Sequence, residues 1–347
     1  MKKQLKNSFK IVFLALCALP MSLISMEPAA SAEGKMIVTL SNAANSIVIL
    51  DDNRVAVNNP AKAGQINVDV VDINQGKSIK TFAGEQGPGF LGAESSKNLL
   101  YVAGDRFPLF YDYQKLEKMG HDGRVTNGGH TANITALVVP DAQSVATAGA
   151  DGKMILLTSD MRAKVIGVGQ TLTSLTALNK NRIIGVGNSN TIVDVQKTNT
   201  STFPVGASKF SQIAMLLAGV GHKDGRWALG QQDGKIMILD STQGNRSKTI
   251  AAHNGTIASL KALADKYLVS ASADGSVKLW KASFDSLNPS ENNAITTLVA
   301  RVNQVSPVTA LDVKYNNATG LAQIVATYGD KSVWQWKLNI DELANPK

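Results

Sequence analysis

Apolar positions along this chain come in short runs, and the runs repeat. Ser144 to Leu156 and Tyr267 to Leu279 can be laid on each other without a gap. In each, an apolar segment leads into an Asp-Gly pair (Asp151-Gly152, Asp274-Gly275) and a second apolar segment follows. Asp-Gly between two such runs is among the strongest hairpin signals, and it predicts a tight primed turn with positive φ, which Asp tolerates and Gly accepts freely. The same unit recurs from Arg226 to Asp240 around Asp233-Gly234, and in weaker form from Ile324 to Trp336 around Asp330-Lys331.

Once the unit is known, degenerate copies stand out at Leu99 to Tyr113 (Asp105-Arg106) and Ile183 to Val195 (Ser189-Asn190), and the first copy, Arg54 to Asp72, has a longer loop holding Pro60 and Gly64. The third strands are expected to end at Asp72, Asp112, Asp160, Gln196, Asp240, Lys281 and Lys337, a mean period of about 44 residues. A period of that size built from four short strands describes blades that stack radially and cover one another's apolar faces. The expected fold is all-β: a single β-propeller of about seven four-stranded blades. The last copy supplies only three strands, so Met36 to Leu40 is expected to join the final blade from the other end and close the ring.

One copy carries more than a hairpin. His253 precedes its first strand, Ser270 lies in the second, Asp274 in the turn and Trp280 near the end of the third. This arrangement resembles the WD-repeat (tryptophan-aspartate repeat) family, and the likeness extends over most of residues 34–339 in weaker form. The resemblance implies a structural tetrad in which Asp274 accepts from His253, His253 bonds Ser270, and Ser270 bonds the indole N–H of Trp280. Burying such a chain is tolerable because every polar group has a partner. Elsewhere the tetrads are partial: His130, Thr147 and Asp151 match but Leu157 replaces the tryptophan, while Asp330 and Trp336 match without a preceding histidine and with Ala326 in the serine position.

The N-terminus departs from this pattern. Met1 to Lys10 holds four lysines and no acid, Ile11 to Met26 is uncharged and broken by Pro20, and Ala30 and Ala32 stand where signal peptidase requires small residues. Residues 1–32 are therefore expected to be a signal peptide, with 33–347 as the propeller. The apolar stretch is too short for a membrane-spanning helix, so no stable anchor is expected after cleavage. Leu16 before Cys17 does not suit lipidation. Cys17 is the chain's single cysteine, so the mature protein would hold neither disulfide nor thiolate. The lysine-rich start and Ala-x-Ala site have a bacterial look, which points to the periplasm, with secretion as the alternative.

Of the formal charge of +8, the leader contributes four lysines against one glutamate, which leaves a mild basic surplus. With 18% charged and 44% hydrophobic residues, neither disorder nor a nucleic-acid tail is indicated. No nucleic-acid partner is expected in the inferred compartment.

Candidate chemistry is sparse. His130 and His253 fall at tetrad positions. His121 and His222, with Asp122 and Asp224, are a conceivable metal set, but they lie at different points of their repeats, and no metal is expected. The Ser/His/Asp set is the tetrad itself, and no Gly-x-Ser-x-Gly elbow occurs, so no catalytic residue is assigned. Gly185-Val186-Gly187-Asn188-Ser189-Asn190 sits in a strand and turn, a poor place for a dinucleotide, and no phosphate loop or haem attachment motif is present. Trp227, Trp280, Trp334 and Trp336 do not form the docking pattern of quinone-binding propellers. No cofactor is expected.

Binding features remain. Arg106, Lys153, Lys235 and Lys331 all follow second-to-third-strand turns, which in this fold point to one face, and together they could attract an acidic protein partner. Lysine after Asp-Gly is also simply common at this solvated position. Phe107 to Tyr113 concentrates aromatic residues, either as interface anchors or, more simply, as core. The expectation is a non-catalytic periplasmic interaction platform or accessory protein for an envelope or respiratory/redox complex. The alternative is a propeller that binds a small molecule in its central channel or on one face.

Overall fold

The structure is a computed structural model, and it describes residues 30–119, 129–158, 162–179, 181–187, 191–196, 199–204, 210–216, 226–240, 246–263, 267–281, 295–300 and 306–344. Seven sheets succeed one another along the chain, antiparallel throughout except for one added strand at the outer edge of the sixth, with hairpin-linked strands running from the axis outward. Blades 1 to 6 occupy 46–86, 91–118, 134–167, 172–204, 210–251 and 257–299. Blade 7 takes its inner three strands from 308–339 and its outer strand from Lys35–Thr39. The closing pair is antiparallel, with Met36 opposite Trp334 and Val38 opposite Val333. A seven-bladed ring closed by the N-terminal strand is thus the observed architecture. A short helix, Ile340–Ala344, follows the last strand.

Third strands end at Asp72, Asp112, Gln196, Asp240 and Lys281, as the repeat predicts. The last runs on to Asn339, two residues beyond Lys337, because its partner Leu321–Tyr328 is equally long. Asp160 lies outside the described residues.

The turn geometry differs from the expectation. At Asp151-Gly152, Asp233-Gly234 and Asp274-Gly275 only the glycine has positive φ, at 71°, 82° and 85°. In blade 6 the Ser272 N–H donates to Ser276 O while Gly275 N–H donates to Ser272 O, which defines a three-residue loop closed by a left-handed residue. The aspartate stays on the ordinary side of φ because its carboxylate caps the turn: Asp274 Oδ1 accepts from the Ser276 N–H at 2.9 Å. Asp-Gly is therefore right as a hairpin signal for a different reason, an Asx cap followed by a left-handed position. In blade 7 that position is held by Lys331, at φ 73°.

Each seam between blades holds its own apolar core. Leu100, Tyr111 and Tyr113 of blade 2 meet Val68, Val70 and Phe82 of blade 1, and Ile257, Leu260 and Trp280 of blade 6 meet Ile236, Ile238 and Ile250 of blade 5. The seam between blades 2 and 3 has the smallest fully buried set, Tyr101, Val145 and Leu157. Leu157, at the position where the tetrad would have tryptophan, is one of its three members. The aromatic run of blade 2 is mostly core: Tyr111 packs on Phe82 at 4.3 Å and Phe110 meets Tyr101 edge-on at 5.3 Å. Phe107 is the exception, 40% exposed.

Around the axis, neighbouring inner strands are stitched by side chains. The Leu91 N–H donates to Ser46 Oγ (3.0 Å), Thr135 Oγ1 to Leu172 O (2.7 Å), and the Ile213 N–H to Ser174 Oγ (3.3 Å). The ring is completed where the Ile49 N–H of blade 1 donates to Asp312 Oδ2 of blade 7 at 2.9 Å. Blades within a propeller share no backbone ladder, so these bonds fix how each is set against the next.

Candidate functional site

The blade 6 tetrad is assembled as the repeat implies. Trp280 Nε1 donates to Ser270 Oγ at 2.7 Å, and Ser270 Oγ lies 2.7 Å from His253 Nε2. His253 Nδ1 faces Asp274 Oδ2 at 3.2 Å and Ser276 Oγ at 2.8 Å. Ser276, two residues after the aspartate, also donates to Asp274 Oδ1, and it is a member the repeat pattern alone did not identify. Hydroxyl donation into Nε2 requires the imidazole to carry its proton on Nδ1. Burial lowers the His253 pKa, outweighing the upward pull of the Asp274 carboxylate, so the ring is neutral near pH 7. Burial pushes Asp274 the other way, but hydrogen bonds from His253, Ser276 and the Asn254 N–H win and hold it well below the usual carboxylate range.

Blade 3 keeps three members: His130 Nδ1 lies 3.0 Å from Asp151 Oδ1 and Nε2 lies 3.0 Å from Thr147 Oγ1. In blade 7, Asp330 Oδ1 accepts from the Ser332 N–H and hydroxyl, and Trp334, rather than Trp336, donates to Ser332 Oγ at 3.0 Å. Trp336 is buried in the core between blades 6 and 7. Blade 1 replaces the tetrad with amides: Asn59 Nδ2 donates to Asp69 Oδ2 (2.9 Å), Asn67 Nδ2 to Asn59 Oδ1 (2.7 Å), and Thr81 also donates to Asp69. Blade 4 uses a buried ion pair, Arg182 Nη2 to Asp194 Oδ2 at 2.8 Å.

The histidine-bearing blades also hold two of the turns that carry the candidate cations, those of Arg106 and Lys235. The backbone N–H of His253 donates to Gly234 O of blade 5 at 3.0 Å, and Thr256 Oγ1 to Gln232 O at 2.9 Å. The His130 N–H reaches Arg106 O of blade 2 at 3.3 Å. A Cβ on Gly234 would sit 2.3 Å from His253 O, so this clamp leaves no room for a side chain. Each histidine thus fixes its own blade through the ring and the preceding blade's turn through the backbone.

Arg106, Lys153, Lys235 and Lys331 therefore all lie on the face that bears these turns. Two of these charges are locally balanced. Arg106 is 3.7 Å from Asp105, and Lys235 is 2.6 Å from Asp233. The half-buried Lys153 donates its backbone N–H to Asp151. Beside Arg106 the exposed Phe107 adds the one large apolar side chain standing at these turns among the described residues.

The axis is a cavity of about 370 Å³ lined by the inner strands of all seven blades, with Thr135, Thr173, Ser174, Gln212, Lys261 and Thr309 among its walls. Lys261 Nζ is 3.3 Å from Asp312 Oδ1. Among the described residues no three His, Cys, Asp or Glu side chains gather as a metal set. His121, His222, Asp122 and Asp224 lie outside the described residues, as do Asn188, Ser189 and Asn190. Among the described residues no helix is long and apolar enough to cross a membrane.

Comparison with known proteins matches residues 244–281, the tetrad blade, to the WD domain, G-beta repeat. The chain is 27% identical over 173 residues to Shk1 kinase-binding protein 15 of Schizosaccharomyces pombe, covering 48% of each protein. It is 31% identical over 166 residues to human WD repeat and HMG-box DNA-binding protein 1, covering 45% of this chain but 14% of that protein. The chain thus spans about half the length of the first relative and a small part of the second.

Proposed function

We propose that this WD-repeat propeller is an exported, non-catalytic platform that binds a protein partner on the face formed by the second-to-third-strand turns. The observation that carries the reading is the clamping of two of those turns by the buried histidine blades, which holds Arg106 with Phe107, and Lys235, in fixed positions. Ser270 stands beside a histidine as a nucleophile would, but it is fully buried and its oxygen accepts the Trp280 indole N–H, which argues for a structural role. An arginine beside an exposed aromatic is the composition from which binding anchors are made. Named relatives that bind a kinase or contain a DNA-binding HMG box are consistent with WD propellers as interaction modules; a protein partner suits this mildly basic chain better than a nucleic acid does. Export rests on the lysine-rich start, the uncharged segment and Ala30-x-Ala32, and the periplasm is the compartment proposed, where an envelope or respiratory complex is the setting to search.

Affinity purification of a tagged chain from its host after mild cross-linking, followed by mass spectrometry, tests the reading. A stoichiometric partner lost on converting Arg106, Lys153, Lys235 and Lys331 to glutamate supports it. A partner retained unchanged by that variant moves the site elsewhere. A second reading, a small polar molecule in the axial cavity, is favoured by the hydroxyl- and amide-rich wall. It predicts a ligand-dependent rise in unfolding temperature with no partner recovered.

A further inference from the structure

Blade 6 has a fifth strand. Ala30–Glu33 lies along its outer edge in parallel, with Ala30 opposite Thr296, Ser31 opposite Thr297, Ala32 opposite Leu298 and Glu33 opposite Val299. The other six sheets stop at four strands, and every other strand pair described is antiparallel. The chain then crosses to blade 7 through Gly34, where a Cβ would stand 2.7 Å from the Trp336 ring, and continues as the closing strand. Ala32 packs against the core between blades 6 and 7, which also contains Leu298 and Trp336. The strand is thus an addition to a complete blade. Parallel pairing is slightly weaker per residue than antiparallel, and an edge strand without it presents free backbone groups.

Three of the added strand's four residues, Ala30 to Ala32, are ones that a peptidase cutting after Ala32 would remove, leaving Glu33 alone on that edge. We propose that the outer edge of blade 6, Thr296–Val299, is a strand-accepting site, closed in the whole chain by Ala30–Glu33 and opened by cleavage to an extended partner segment of small residues. The opening rests on the export reading above; the acceptor edge does not. Main-chain hydrogen bonds would supply the affinity, and the small, alanine-sized space beside Leu298 and Trp336 would supply the selectivity. This edge lies on the rim, away from the turn-bearing face, so both can be occupied at once.

The test uses the full chain and a labelled peptide of residues 29–34. The unaltered chain is expected to bind little peptide, because its own strand fills the edge. A variant with Ser31→Pro and Ala32→Pro, which cannot pair in either alternation, is expected to bind at least tenfold more tightly. Equal binding by both, or none by a folded proline variant, overturns the acceptor site. As a check independent of those prolines, Ser31→Cys with Thr297→Cys in the full chain is expected to form a disulfide on oxidation, distinguished from Cys17 by peptide mapping; failure to form it overturns the register. N-terminal sequencing of the exported protein decides the other part: a start at Glu33 supports cleavage-linked opening, and retention of residues 30–32 overturns it, whatever the peptide does.

Discussion

The Ser270 hydroxyl sits 2.7 Å from His253 Nε2, at the centre of a chain that runs from a buried indole to a surface turn. From Trp280 it passes through Ser270 and the His253 ring to Asp274, and the backbone of the same histidine continues it to Gly234 of the preceding blade. Packing inside blade 6 and the position of Lys235 on the face of blade 5 are therefore one mechanical unit. The polar core is what makes the turn rigid.

Ser270→Ala is expected to destabilise the fold strongly, because it leaves both the Trp280 N–H and His253 Nε2 without a partner where no water reaches. Each such group costs roughly 1–3 kcal/mol. Paired with Trp280→Phe in a double-mutant cycle, it should show a coupling well outside additivity, since the two residues share one bond. Additive urea midpoints would contradict the chain.

Stability should fall in acid in two stages. The folded His253 has a pKa below its unfolded value near 6.5, so below about pH 6.5 the unfolded chain binds more protons and folding weakens as pH drops. Asp274 and Asp151 are also depressed: burial opposes this, but hydrogen bonds, from His253 and Ser276 to the first and from the Thr131 N–H and His130 to the second, outweigh it. Their contribution is whole above about pH 4 and is lost below it. Urea midpoints at pH 7.5, 5.5 and 3.5 should decline in that order, and His253→Gln should flatten the first step.

The ring was legible in the sequence because its hairpins are written in local chemistry. Asp151-Gly152, Asp233-Gly234 and Asp274-Gly275 each set an Asx cap and a left-handed glycine, and the apolar runs on either side can bury themselves only against neighbours. The tetrad was legible for the same reason, as four residue types at fixed offsets within one blade. What stayed hidden is non-local. Asp312 reads as an ordinary strand acid until the ring closes and brings it to the Ile49 N–H, some 263 positions away along the chain. Asn59, Asn67 and Asp69 replace a tetrad with residues that have no fixed pattern, and Phe107 looks like its buried neighbours although it stands in the turn, one residue before the strand Pro108–Asp112 begins.

Lys331→Gly should raise stability. Lys331 holds the left-handed position at φ 73° that glycine fills in three other blades, and an ordinary side chain there costs about 1 kcal/mol. The gain should be up to that amount, offset in part by the freer unfolded chain. If the turn-bearing face binds the partner, the same change should weaken association by removing a cation while the melting temperature rises. A lower melting temperature would mean that the lysine side chain contributes more than its backbone strain costs.

Closure is the last element the ring depends on, and it can be tested from both ends. Asp312→Ala leaves the Ile49 N–H unpaired at the junction of blades 7 and 1, and should cost roughly 1–3 kcal/mol, whereas Asp312→Asn keeps an acceptor and should cost less. Deleting residues 33–41 goes further, because it takes away the whole outer strand of blade 7 and with it Ile37 and Leu40 from the core between blades 7 and 1. The edge of Ser332–Asn339 is then bare, and the ring loses the segment that joins its two ends. The expected result is a large drop in unfolding temperature with association through the open edge. A deletion that melts like the parent would show that the inner-strand bonds alone hold the ring, and that Asp312, not the outer strand, is the true clasp.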